Sequence, residues 1–402
     1  MPYHNWTQHI DKIKALTTDH EMSFFYYDLD AFQQHLQQLK TWPVKLWYAL
    51  KANPLSRVIH TVNQAGLNFD VSSVGELKQV LTQGIDPQCI LYTGPAKTLK
   101  QLRYFLQMGV RFFVVESPQQ LRDLNSEAIA QQIACVQVLL RVQLTWETTD
   151  KNILGGCAVS AFGLESAEWK KLCLADYPAI NVTGIHCFQW GNIISTEKLL
   201  KIWQHIATQA NQLAKCMAFT LKVIDLGGGL GIPYDQQTEP LSYQQINDCL
   251  MTLKQQYTNI EFWLELGRYA IGPFGLYATT VVDRKKMQHK NLLILQGGIN
   301  HILRPVLTGE AFPCELLRQS NVEQQSFQCH GPLCTSLDKV SEVHLPGDIA
   351  IGDWLLFKQV GAYGFTESMP WFLCHDLAGE VVCENGEVTI IRAAAGAESW
   401  LR

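Results

Sequence analysis

A lysine closes the apolar run in YALKANP (48–54), a glycine cluster follows another run in DLGGGLGIPY (225–234), and an acid and an arginine end a third in ELGR (265–268). Apolar walls at a strand end depress a lysine's pKa and free its amine to attack a carbonyl, which is one reading of Lys51; a snorkelling lysine is the plain alternative. The bare N–H groups around Gly228 and Gly229 can approach an anion closely. This is no dinucleotide fingerprint, because the sixth position of G-x-G-x-x-G is Ile232 counted from Gly227 and Tyr234 counted from Gly229. A single phosphate suits the loop better, with a purely structural turn as the other reading. Arg268 can help hold that phosphate, and Glu265 can face a basic ring nitrogen and keep it protonated, unless the two form only a local salt bridge. An imine-forming amine, an anchor for one phosphate and an acid for a ring nitrogen together meet the needs of pyridoxal 5'-phosphate.

Such groups need a scaffold that brings distant segments together. Eight short apolar or β-branched runs follow one another at 44–50, 67–71, 89–92, 111–115, 135–142, 182–188, 221–226 and 260–266, and amphipathic stretches such as TLKQLRYFLQMG lie between them. Eight strands alternating with helices predict an α/β fold, a (β/α)8 barrel whose chemistry sits at the C-terminal strand ends. There lie Lys51, Asp70, His186 and Phe188, and the loops after strands seven and eight, a frequent phosphate site in such barrels, carry GGGLG and ELGR. Beyond residue 275 the runs LYATTVVDRK, NLLILQGG, DWLLFKQVGAYG and GEVTIIRAAA read as strands joined by turns. The expected division is a barrel over 30–273 and a mostly β domain from 1–29 and 274–402.

Composition narrows the partners. The 402 residues carry a net charge of -5 without basic runs, so nucleic acid is not expected. No uncharged apolar run approaches a membrane span, and MPYHNWTQHIDK lacks the apolar centre of a secretory signal, which points to a cytoplasmic protein. Twelve irregularly spaced cysteines then read as reduced thiols. Cys329, His330 and Cys334 in CHGPLC, and Cys374 and His375 in CHD, are metal-ligand types, yet standard zinc spacings are missing and no metal is expected.

The ordered motifs YALKANP, DVSSVGEL, GIHCF, DLGGGLGIPY, ELGR, GGINHILRP, GPLCTSLD and GAYG resemble those of the fold-type III pyridoxal phosphate decarboxylases, the family of diaminopimelate, ornithine and arginine decarboxylases, from about residue 24 to 390. The resemblance implies an alanine-racemase-like barrel with a β domain, working as a homodimer with shared active sites. It implies that Lys51 forms the imine with the cofactor and that Glu265 pairs with its ring nitrogen. Gly228, Gly229, Gly267, Arg268 and Tyr363 would hold the phosphate, and in one of the two registers open to Gly191 and Asn192, so would Asn192. Cys334 would reach the site from the partner subunit and return a proton after carbon dioxide leaves. Arg304, in HILRP, matches an arginine that grips a substrate carboxylate.

Three departures bear on the substrate. Thr335 follows the cysteine where the diaminopimelate and ornithine enzymes usually carry an acid for a distal ammonium, and a hydroxyl cannot balance that charge. Thr308 stands in place of a tyrosine, and Phe188 in place of a histidine that stacks on the cofactor ring. The motifs look most like a subgroup acting on modified amino acids. The leading expectation is α-decarboxylation of a small amino-acid-derived molecule, a citryl-conjugated L-amino acid of siderophore biosynthesis. A free diamino acid, a carrier-protein-bound aminoacyl group, racemisation and an inactive regulatory homologue are the competing readings.

Overall fold

The structure, a computed structural model, describes residues 4–19, 22–144, 159–235 and 237–400. It divides into two compact units, one of Met1–Gln34, Pro233–Pro240 and Ala270–Arg402, the other of His35–Ile232 and Leu241–Tyr269.

The first strand, β1 (Phe24–Asp28), belongs to the former unit, and the next eight close the barrel of the latter. These are β2 (Lys45–Ala49), β3 (Asn68–Val71), β4 (Ile90–Tyr92), β5 (Phe112–Val115), β6 (Val136–Arg141), β7 (Ile180–His186), β8 (Val223–Asp225) and β9 (Glu261–Leu266), all parallel to their neighbours. Each falls within or overlaps one of the eight runs in the sequence, so the expected fold is borne out. The runs are nearly continuous in apolar residues because strands of a parallel barrel are covered on both faces.

Serine or threonine caps set the helices that return the chain. Ser73 accepts from Glu76 N, Ser117 from Gln120 N and Ser195 from Lys198 N, while Thr98 and Gln101 form a capping box. Each such cap satisfies an N–H that the helix leaves unpaired and contributes about 1 kcal/mol.

Trp47, Leu91, Val114, Leu139, Val223 and Trp263 pack together inside the barrel, with the two indoles 4.8 Å apart. Side chains alternate along a strand, so the residue two places beyond an inward one faces the same interior nearer the C-terminal mouth. That step carries Trp263 to Glu265 and Val223 to Asp225. In the ladder Arg141 is level with His186, and His186 with Asp225. An apolar plug thus supports a polar layer.

The other unit centres on a sheet of order β14-β13-β11-β10-β1-β16-β17, with β15 paired to β10 and β12 to β15. Its strands after β1 are β10 (Gly275–Met287), β11 (Lys290–Leu295), β12 (Cys314–Leu316), β13 (Gln324–His330), β14 (Lys339–Pro346), β15 (Trp354–Lys358), β16 (Gly379–Glu384) and β17 (Glu387–Arg392). β1 runs antiparallel to β10 and parallel to β16. Trp6, Ile13, Leu16, Phe24 and Tyr26 from the N-terminal segment share a core with Leu276, Leu356 and Val381.

Candidate active site

Glu265 anchors the polar layer of the barrel mouth. It is buried, and His186 Nε2 lies 3.0 Å from its Oε1. Burial alone would push this carboxyl up, but the charge and hydrogen bond of His186, then Lys51 and Arg141, hold it down to about 2. Two neighbouring acids go the other way. Burial and then the charge of Glu265 push Asp70 up to about 7, despite Lys51 and a hydrogen bond from Thr93 Oγ1 at 2.5 Å. Burial and Glu265 also raise Asp225 well above the usual carboxylate range, although Gly227 N donates to its Oδ1 at 2.8 Å. Three buried carboxyls that converge cannot all ionise, and here the charge is concentrated on Glu265.

Lys51 sits on the single turn Leu50–Ala52 after β2, its Nζ 3.9 Å from Asp70 Oδ2. Half of the side chain is exposed (51%), so a carboxylate beside an open mouth, rather than an apolar wall, is its setting. The Asn53 side chain then accepts from Leu55 N at 3.1 Å, which turns the backbone out of the strand.

The glycine loop is built for close approach. Gly227 and Gly229 have φ of +67° and +93°, where only glycine sits without strain. A Cβ on Gly228 would lie 2.4 Å from Glu265 O, and one on Gly229 would lie 2.3 Å from Trp190 O. Asn192, at φ +53°, accepts from Ile232 N at 3.2 Å, and Ile193 bonds Gly229 and Gly231, each at 2.8 Å. Asn192 therefore braces this loop. Phe188 packs against Gly227, whose Cβ would fall 3.1 Å from the Phe188 Cα. Gly267 is the buried bend between β9 and the short helix Arg268–Ile271, on which Arg268 is also buried. Gly229→Ala is expected to destabilise the protein by about 1–3 kcal/mol through combined strain and overlap, which thermal unfolding without cofactor will read.

The layer has members that no sequence motif revealed. Arg141 Nη1 pairs with Glu116 Oε1 at 3.0 Å, and Gly163 N donates to Glu116 Oε2 at 2.9 Å. Lys97 is buried with its ammonium 4.9 Å from the Tyr92 ring centre, and burial pushes it down to about 7. Arg141 and Asp225 could have been found as charges interrupting apolar runs. Lys97 sits in the aperiodic TGPAKT and gives no such signal.

The remaining candidates lie in the other unit. Arg304 is buried, its guanidinium 4.4 Å from the Tyr363 ring centre and its Nη1 2.6 Å from Glu367 Oε2. Its Nε is buried without a hydrogen bond. Thr308 Oγ1 donates to Arg304 O at 3.0 Å, so that hydroxyl closes the helix Arg304–Thr308. Cys334 is exposed, and Thr335 Oγ1 accepts from Leu337 N at 3.3 Å. The loop holding both is clamped by buried Asp338, which accepts from Ile299 N and Leu333 N at 2.8 Å each. The structure therefore groups Lys51, Asp70, His186, Phe188, Asn192, Glu265 and the glycines in one unit, and Arg304, Thr308, Cys334, Thr335 and Tyr363 in the other.

Two groups of three converging metal-ligand atoms occur among the described residues, His186–Asp225–Glu265 here and His4–His9–Asp28 in the β-rich unit; neither CHGPLC nor CHD belongs to one. In the barrel group the close contact is the His186–Glu265 hydrogen bond, and the low pKa of Glu265 follows from it.

The site fits pyridoxal phosphate on its own chemistry. A buried carboxylate is kept ionised where a ring nitrogen needs a proton, glycines leave backbone N–H groups approachable, and an amine stands at the mouth.

Residues 28–272 match the family model for the pyridoxal-binding domain of pyridoxal-dependent decarboxylases. The chain is 28% identical over 383 residues to the 2-[(L-alanin-3-ylcarbamoyl)methyl]-2-hydroxybutanedioate decarboxylase of Staphylococcus aureus, covering 91% of this chain and 94% of that protein. It is 25% identical to the L-glutamyl-[BtrI acyl-carrier protein] decarboxylase of Niallia circulans, over 96% and 94% of the two chains. Among solved structures, diaminopimelate decarboxylase from Helicobacter pylori complexed with L-lysine superposes with a TM-score of 0.86 at 22% identity, covering 96% and 98%, a likeness of fold.

Proposed function

The chain belongs to the pyridoxal-dependent decarboxylases, a family of carboxy-lyases, and from that premise we propose that it removes the α-carboxylate of a citryl-conjugated L-amino acid on the way to a carboxylate siderophore. Pyridoxal phosphate, when bound, supplies an aldehyde that links to amines and a ring that takes up the electron pair freed as carbon dioxide departs.

The chain's own residues have distinct tasks. Lys51 supplies the amine that carries the cofactor and gives way to the substrate's α-amine. Glu265, ionised and oriented by His186, holds a proton on the ring nitrogen, and Phe188 offers a face for the ring. The N–H groups of Gly228 and Gly229, with Gly267 and Arg268, grip the phosphate, while Asn192 keeps the loop in shape. Cys334 of a second copy returns a proton to the α-carbon. That role needs an exposed thiol, and Cys334 is exposed. The same reading carries a homodimer with shared sites in the cytoplasm. Among the described residues, no helix is long and apolar enough to cross a membrane.

The observation that carries the substrate class is Thr335. It offers no negative charge beside Cys334, which argues against a free distal ammonium and suits an amine already acylated. Arg304, buried with its Nε unpaired, suits a carboxylate of the citryl portion. The name of the Staphylococcus aureus relative describes an amide of this kind, which further supports the reading.

The test is a screen of citryl-diaminopropionate, citryl-ornithine and citryl-serine against free diaminopimelate, ornithine and lysine, read as loss of carbon dioxide by mass. Turnover of a citryl conjugate at the highest kcat/KM is expected. A preference for a free diamino acid overturns the proposal, and substrate turnover with conserved mass marks racemisation. Thr335→Glu is expected to raise the kcat/KM ratio of free diamine to conjugate about tenfold, the equivalent of about 1.4 kcal/mol.

A further inference from the structure

The N-terminal segment carries a group of side chains that the decarboxylase chemistry does not use. His4 precedes the single turn Trp6–His9, His9 ends that turn, and Asp28 ends β1. All three lie in the β-rich unit. His4 Nε2 is 3.0 Å and His9 Nε2 is 2.8 Å from one oxygen, Asp28 Oδ2, and the three ligand atoms lie within 4.8 Å of one another. The side chains are 9%, 5% and 2% exposed.

The angles matter more than the distances. Asp28 Oδ2 and His4 Nε2 are both buried and sit at ion-pair range, yet they are not aligned for a well-formed hydrogen bond. Two imidazole nitrogens and a carboxylate oxygen that converge on common space, rather than point at each other, have the arrangement of ligands around a cation. Zinc bonds of about 2.0–2.2 Å at tetrahedral angles place ligand atoms about 3.3 Å apart, so each imidazole need retreat from Asp28 Oδ2 by only a few tenths of an ångström.

The surroundings fit as well. His9 Nδ1 lies 2.9 Å from the Tyr26 hydroxyl, the outer partner that fixes a ligand imidazole with its other nitrogen turned inward. Trp6 and Phe274 stand edge-on to His4 at ring distances of 4.4 and 5.4 Å, giving an apolar wall. Among the described residues the Gln8 amide competes, with its Nε2 3.2 Å from His9 Nε2. We propose that His4, His9 and Asp28 bind one divalent transition-metal ion, zinc by ligand type, with water or Gln8 in the fourth position, and that the ion ties the N-terminal segment to β1.

The test is metal analysis of full-length, cofactor-loaded protein after dialysis with a weak chelator, together with thermal unfolding at increasing zinc. About one zinc per chain is expected, with a higher apparent melting temperature as zinc is added. The His4→Ala variant, altered at the rim of the cluster and not in its strand, should lose the metal and the zinc-dependent rise while keeping its cofactor absorbance. Asp28→Asn supplies a second variant that keeps the side chain's size and removes its charge. Zinc that binds equally to wild type and both variants places the ion elsewhere, for instance on His186, Asp225 and Glu265, and overturns the proposal. So does wild-type protein that neither retains zinc nor is stabilised by it.

Discussion

Lys51→Ala is expected to cut kcat by about 10⁴-fold or more, the upper range for removing one group that both exchanges protons and holds a reactant. Borohydride should fix the cofactor to the wild-type chain and leave the variant unlabelled, which mass spectrometry of the intact protein will show. The geometry makes this a clean substitution. The Lys51 side chain is half exposed, and its Nζ stands 3.9 Å from Asp70 Oδ2. Its loss opens no buried cavity and should leave the fold intact, so a large fall in turnover can be assigned to chemistry. A variant that still fixes cofactor and still turns over would remove Lys51 from its proposed role.

Glu265→Gln should cost about 10²–10³-fold in kcat, the range seen when one preorganised electrostatic contact is removed from a site. The amide keeps the shape and can still bond His186, but it carries no charge to hold a proton on the ring nitrogen. The spectrum of bound cofactor should change along with kcat, whereas a purely structural loss would lower bound cofactor in step with activity. Asp225 and Asp70 are both raised, first by burial and then by the charge of Glu265. Removing that charge eases their ionisation, so any inflection that Asp70 gives the wild-type pH profile near 7 should move to lower pH in the variant.

The barrel was legible because its strands are nearly continuous apolar runs covered on both faces, which stand out from the amphipathic stretches between them. Of the strands missed in the β-rich unit, β16 is a buried run, but β12, β13 and β14 have no such mark. β13 begins with exposed Gln324, Gln325 and Ser326, and β14 alternates exposed and buried positions around charged Lys339 and Glu342. β12 is three half-buried residues. For the site, glycine spacing and strand-end charges pointed to Lys51, Glu265 and the phosphate loop. They did not point to the division of charge among Asp70, Asp225 and Glu265, which depends on three strands meeting in a buried layer. Asp338 escaped notice because one of the backbone N–H groups it accepts from, that of Ile299, lies far from it in sequence.

The placement of β1 has a bearing on how the chain is made. Phe24 pairs with Ala278 on one side and with Gly379 on the other. At a synthesis rate of about 5–20 residues per second, roughly 10–50 s pass between the appearance of β1 and that of its first partner. Every barrel strand emerges in that interval. The nascent chain must therefore carry an apolar strand, FFYYD, with both edges unpaired while the barrel is being completed. Ribosome-bound chains halted before residue 275 should depend on chaperones that shield such edges, and full-length chains should escape that dependence once β10 and β16 are out.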